Sequence, residues 1–273
     1  MCPRIDVDLH KIRHNTQTIV ERLKVRGIRV TAVTKAVCGH PAIARAMLNG
    51  GAVGLAEARL SNVKRLRQAG MTCPITLIRT PMLSQVDDIV QFCEASYNTE
   101  ISVIAALAAV SIRTGTDHGI ILMVEMGDLR EGILPRDLGA IARRVVNMPG
   151  VTLLGIGANF ACLSGIAPDA SNMKALSVLA NDTEETCGIA FKTVSGGNSA
   201  NLPWALGEGP AWRINDLRLG EAILLGGDPV TGEEIGGLHN DAFTLLAEVI
   251  ETDAESKPFH ASAVAAAIIG DLP

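Results

Sequence analysis

Short apolar runs rich in Val, Ile and Leu alternate along this chain with longer stretches whose apolar residues recur at helical spacing. Residues 5–9 read as an opening strand, and Asp8 is placed to start a helix over 10–24, with Ile12, Ile19 and Leu23 along one side. Residues 30–37 follow as a strand that runs into Lys35 and is broken by Cys38-Gly39-His40-Pro41. The pattern then repeats. A helix over 41–48 stops at Asn49-Gly50-Gly51, a C-terminal signal. A strand at 53–56 precedes a charged helix at 57–69, 75–78 precedes 83–92, and 95–98 precedes 100–113. A strand at 120–125 precedes a helix at 136–147, and 153–158 precedes a helix within 170–185. Strands at 192–194 and 217–219 complete the series.

Counted from the strand of Lys35, this makes eight strands separated mostly by helices. Such alternation requires parallel strands and right-handed crossovers, and eight units close into a (β/α)8 barrel of the TIM type with one added helix in front. A doubly wound open sheet is the competing architecture. In a barrel the chemistry gathers where the strands end, so Lys35, Arg130, Asn159, residues 195–199 and residues 218–221 are expected to meet.

Composition narrows the classes. With 273 residues, 48% of them hydrophobic, the chain can bury a large core. A net charge of −5 without a basic run argues against nucleic acid as partner, and eight aromatics (one Tyr, two Trp, five Phe) give no base-stacking platform. No stretch reaches membrane-spanning length without charge, and Met1-Cys2-Pro3-Arg4-Ile5-Asp6 does not read as a signal peptide. The six cysteines are scattered without a Cys-x-x-Cys pair, which indicates neither zinc site nor disulfide frame and fits a reducing cytoplasm.

Within that frame few residues suggest chemistry. Lys35 either packs its stem and sends its ammonium outward, or is desolvated and attacks a carbonyl to form a Schiff base. Ser195-Gly196-Gly197-Asn198-Ser199 is either a plain turn or an anion cradle of backbone N–H groups and the Ser199 hydroxyl. Leu217-Arg218-Leu219-Gly220-Glu221 supplies a second glycine after the last strand, and barrels build phosphate sites from their last two loops. Arg218 needs a carboxylate or a ligand atom. In Gly127-Asp128-Leu129-Arg130-Glu131-Gly132, Arg130 can bind a substrate carboxylate or pair with Asp128 or Glu131, and the residues alone favour the pairing. Cys38 is expected in the core.

Together with Gly157-Ala158-Asn159-Phe160, these motifs resemble the alanine-racemase type of pyridoxal-phosphate (PLP) enzyme. They are most similar to its ornithine/lysine racemase branch, in order over roughly residues 5–250. The resemblance implies that Lys35 holds PLP and exchanges the α-proton of an amino-acid substrate, ornithine- or lysine-like. It also implies that Ser199, with the backbone of Gly220 and Glu221, holds the phosphate, that Asn159 lies against the ring in place of the family's histidine, and that Arg218 faces the pyridine nitrogen. Arg130 then lies near the substrate carboxylate. A fixed cation at the ring nitrogen keeps it unprotonated and favours proton exchange over decarboxylation.

By the same resemblance, residues 1–235 form the PLP-binding barrel, and 236–273 begin the family's C-terminal β domain before an alanine-rich stretch at 261–269. Family members with both domains are dimers, which makes a second copy of the chain the expected partner. In alanine racemases the partner's β domain supplies a tyrosine as second acid or base. Tyr97 is the single tyrosine here, and nothing in its strand suggests that role. The expectation is slow racemisation, with a PLP carrier without turnover, or an inactive truncated racemase, as alternatives.

Overall fold

The computed structural model describes residues 3–162 and 167–249. In chain order, β1 (Arg4–Val7) leads to α1 (Leu9–Lys24), where the Asp8 side chain accepts from the N–H groups of His10 and Lys11. β2 (Arg29–Val33), α2 (Pro41–Asn49), β3 (Gly54–Glu57), α3 (Leu60–Gln68), β4 (Ile75–Leu77) and α4 (Val86–Phe92) follow. Next come β5 (Ala95–Asn98), α5 (Ile101–Thr114), β6 (His118–Val124), α6 (Pro135–Val146), β7 (Val151–Ala158) and α7 (Ala170–Cys187). The series ends with β8 (Thr193–Ser195), α8 (Leu202–Leu206), β9 (Asp216–Leu219), α9 (Glu221–Leu225) and β10 (Phe243–Leu246).

Strands β2 to β9 form a closed parallel barrel, β9 returning to pair with β2 through Thr31↔Arg218 and Ala32↔Leu219. This is the eight-stranded architecture expected from the alternation, and the open sheet is excluded. The described residues fall into two compact units, one spanning Val7–Phe243 and a small one that includes 3–6 and 244–249. In the small unit β1 pairs with β10, and Arg4 pairs with Asp6 at 3.0 Å. The alanine-rich stretch at 261–269 lies outside the described residues.

The core is the shell between barrel and helices. Ile12, Ile19 and Leu23 of α1 are fully buried there, as their spacing requires. Inside the barrel Tyr97, Ile121 and Met123 form a separate apolar cluster. Beside it runs a polar chain: Thr31 donates to Asp216 (2.7 Å), Ser195 to the other Asp216 oxygen (2.7 Å), and Arg218 to Ser195 (2.6 Å) and Tyr97 (3.0 Å).

Three local expectations are corrected. β2 ends at Val33 and does not run on to Val37: Lys35 lies in a single 3-10 turn, Lys35–Val37, in an exposed position. Glu57 does not open α3. It ends β3, fully buried, because Thr34 Oγ1 (2.7 Å), the Ala58 N–H (3.0 Å) and Asn62 Nδ2 (3.1 Å) all donate to its carboxylate. Cys38 is exposed, not core, with a left-handed backbone (φ 52°) that closes the turn after Lys35.

Candidate active site

Lys35, Arg130, Asn159, Ser199, Arg218, Gly220 and Glu221, from five separate segments of the chain, all line one cavity of about 480 Å³ at the strand ends. Lys35 is carried there by the turn after β2, which Thr34 and Glu57 fasten to β3. Ser199 sits in a 3-10 turn after β8, and its Oγ accepts from the Ala222 N–H of α9 (3.2 Å), so the two glycine-bearing loops are joined. α9 is held in turn by Asn15, whose Nδ2 donates to the carbonyls of Ile223 (3.0 Å) and His239 (2.8 Å) while its Oδ1 accepts from the His239 N–H (2.7 Å). A polar residue on the buried side of α1 was not singled out from sequence, although Asn in such a place requires partners.

Arg218 is 4% exposed and meets no carboxylate within ion-pair distance among the described residues. Its Nη2 donates to the Ala158 carbonyl (2.8 Å) and to Asn159 Oδ1 (2.7 Å), and its Nη1 to Ser195 and Tyr97. The guanidinium carbon stands 4.5 Å from the Tyr97 ring centre. Asp216 reaches this cation through one hydroxyl, that of Ser195. Nε has no acceptor among the described residues, while Arg218 borders the cavity. Tyr97 is thus a support for Arg218 and does not line the cavity. Burial pushes its hydroxyl above the ordinary tyrosine range, against the pull of Arg218.

Arg130 makes the pairing that the residues alone favour. It bonds Glu131 (2.9 Å) and lies 3.8 Å from Asp128, yet it still borders the cavity. Burial lowers its pKa, but Glu131, Cys162 and Asp128 outweigh this and leave it raised, so Arg130 is a fixed cation. Cys162 and Asn198 also border the cavity, with Asn198 Nδ2 donating to the thiol (3.1 Å). Asn198 belongs to the 195–199 segment expected at the site, whereas Cys162 carries no periodic signal by which sequence reading could find it.

The sequence profile described as alanine racemase, N-terminal domain, matches residues 7–228. The chain belongs to this family. It is 31% identical to an ornithine racemase of Acetoanaerobium sticklandii over 92% of its own length and 71% of the relative's. It is 34% identical to a lysine racemase of Thermotoga maritima over 91% of its length and 70% of that protein's. A crystal structure of an alanine racemase from E. faecalis superposes with a TM-score of 0.73 at 25% identity, covering 91% of this chain and 67% of that one. Family members typically bind PLP. Among the described residues no helix is long and apolar enough to cross a membrane.

The donors present fit that cofactor. A phosphate needs a hydroxyl and bare N–H groups, which Ser199 and the backbone of Gly220 and Glu221 offer. Gly220 is bare for a reason: a Cβ there would stand 2.9 Å from the Val33 carbonyl. A neutral ring nitrogen needs a donor, and the Nε–H of Arg218 is one without a partner among the described residues.

Proposed function

We propose that this chain is a PLP-dependent amino-acid racemase. The observation that carries the reading is the gathering of one lysine, two fixed arginines and a glycine-serine cradle around a single cavity. Bound there, PLP would supply an electron-withdrawing ring that acidifies the α-hydrogen of an attached amino acid. Lys35 would hold the cofactor and, with its amine freed by substrate, take and return that proton at Nζ. Ser199 and the N–H groups of Gly220 and Glu221 would bind phosphate, and Arg130 the α-carboxylate. Arg218 would present a positive charge to the ring nitrogen, with Asn159 Oδ1 fixing its plane. A nitrogen kept unprotonated in this way favours proton exchange over loss of carboxylate. A domain boundary near residue 235, between this barrel and a following β segment, belongs to the same proposal.

Kinship with the ornithine and lysine racemases makes a basic amino acid the substrate expected from sequence. The test is to load the protein with PLP, reduce it with borohydride and map the adduct by mass spectrometry. Modification of Lys35 is expected, together with α-proton exchange from amino acids in D₂O. An adduct on another lysine, or none, refutes the assignment. A Lys35 adduct without exchange leaves a PLP carrier.

A further inference from the structure

Lys35, Ile78 and Arg130 also border a second, larger cavity of about 830 Å³, whose wall continues through Ala58, Arg59, Asn62 and Arg79. Four cations (Lys35, Arg59, Arg79 and Arg130) stand on this wall with one carboxylate, Glu131, which already bonds Arg130 at 2.9 Å. The guanidinium groups of Arg59 and Arg79 are exposed and make no ion pair or side-chain hydrogen bond with the described residues. The chain as a whole carries a net charge of −5, so this clustering runs against its overall balance.

The backbone adds to the same field. α3 begins at this wall, with Arg59 in the N-cap position, no side-chain cap and no acidic residue in its first turn. A helix start carries partial positive charge and favours Asp, Ser or Thr, so an arginine there is electrostatically the wrong sign. The Glu57 carboxylate is buried, does not line the cavity and is satisfied by Thr34, Ala58 and Asn62. Even with Lys35 engaged by a cofactor, the wall offers the Arg59 and Arg79 guanidinium groups to an anion.

We propose that this second cavity receives the distal carboxylate of a dicarboxylic amino acid, so that the substrate is acidic rather than basic. The inference rests on the racemase reading and departs from the substrates for which the relatives are named. The shared Arg130 takes the α-carboxylate at the junction of the two cavities, and the side chain extends toward Arg59 and Arg79. A distal ammonium placed there would face four cations and a single carboxylate, Glu131, that Arg130 already engages.

Two measurements test this separately from the racemase reading. In the first, glutarate, 1,5-diaminopentane and inorganic phosphate are titrated into the protein and followed by ligand-observed NMR. Glutarate is expected to bind, about tenfold more weakly in Arg59→Gln and in Arg79→Gln and more weakly as salt rises, while the diamine does not bind. Both arginines are exposed and unpartnered, so unchanged urea midpoints will show that the variants fold. In the second, α-proton exchange is compared on the PLP-loaded protein. Glutamate is expected to exceed ornithine in kcat/KM by at least about tenfold, with the preference lost in the double variant mainly through KM. Ornithine exchanging faster than glutamate overturns the substrate proposal and leaves the racemase reading intact. With no exchange from any amino acid, the racemase reading fails, and glutarate binding still decides what the cavity holds. Phosphate binding more tightly than glutarate, and lost in Arg79→Gln, also overturns it by making the cavity a phosphate site.

Discussion

Replacing Tyr97 by Phe removes one oxygen from the protein and nothing else. That oxygen accepts a 3.0 Å bond from Nη1 of a cation that is 4% exposed and has no carboxylate in ion-pair contact. The ring, 4.5 Å from the guanidinium carbon, stays in place, and so does the Ser195 bond to the same nitrogen. Hydrogen bonds to charged groups are worth about 1.5–3 kcal/mol. In a domain of this size each kcal/mol moves Tm by about 2–4 °C, so Tyr97→Phe should lower it by about 3–12 °C. Urea unfolding of the wild type, Tyr97→Phe, Arg218→Met and the double variant checks the origin of the loss. Once Arg218 is gone the hydroxyl has no charge to solvate, and Tyr97→Phe should then cost less than about 0.5 kcal/mol. Equal costs in both backgrounds, or no cost in the wild type, refute the claim that Tyr97 stabilises the buried cation.

Two further predictions concern the barrel wall. His118 is buried, with Nε2 2.8 Å from Ser96 Oγ, and its pKa is pushed down to about 4, chiefly by burial. The unfolded chain therefore takes up a proton near pH 6.5 that the folded one refuses until about 4. Stability should be full above about pH 6.5 and fall by about 3 kcal/mol as the pH drops through that window, and His118→Gln should flatten this slope in urea titrations. In Gly155→Ala the new methyl would stand 1.8 Å from the Thr193 carbonyl, at φ 155°, beside the register shift opposite Ile120 and Ile121. A loss of at least about 3 kcal/mol is expected, and a wild-type Tm by calorimetry would show that β7 and β8 can part without penalty.

The order of elements could be read from the chain because each strand is an apolar run between helical patterns, and closure follows from having eight of them. What escaped was set by contacts far apart in sequence or by single backbone angles. The β-branched run to Val37 reads as strand throughout, yet the left-handed Cys38 and the Thr34–Glu57 bond turn the chain at Lys35. Glu57 reads as a helix surface residue, since none of its three donors announces itself in the sequence. The partners of Arg218 come from β5, β7, β8 and the residue after β7, and all of them are neutral. Of the two partners the sequence allowed for Arg218, the carboxylate is not the one found among the described residues; neutral dipoles surround the cation instead.

The pairing of β2 with β9 has a consequence for how the molecule comes into being. The Thr31–Asp216 bond joins residues 185 apart, and the same seam brings Lys35 and Arg218 to one cavity. The ring can shut only after its final strand has been made, so the site cannot assemble before β9 has been synthesised. Contacts of such span are slow to find and bring little reward until they are complete. Any small molecule that touches both sides of the seam acts as a clasp, binding the shut ring and not the open one. At a concentration one hundred times its dissociation constant, such a clasp adds about 2.7 kcal/mol to the folded state. The same molecule that would make the protein reactive would then also be what keeps the barrel's first and last strands together.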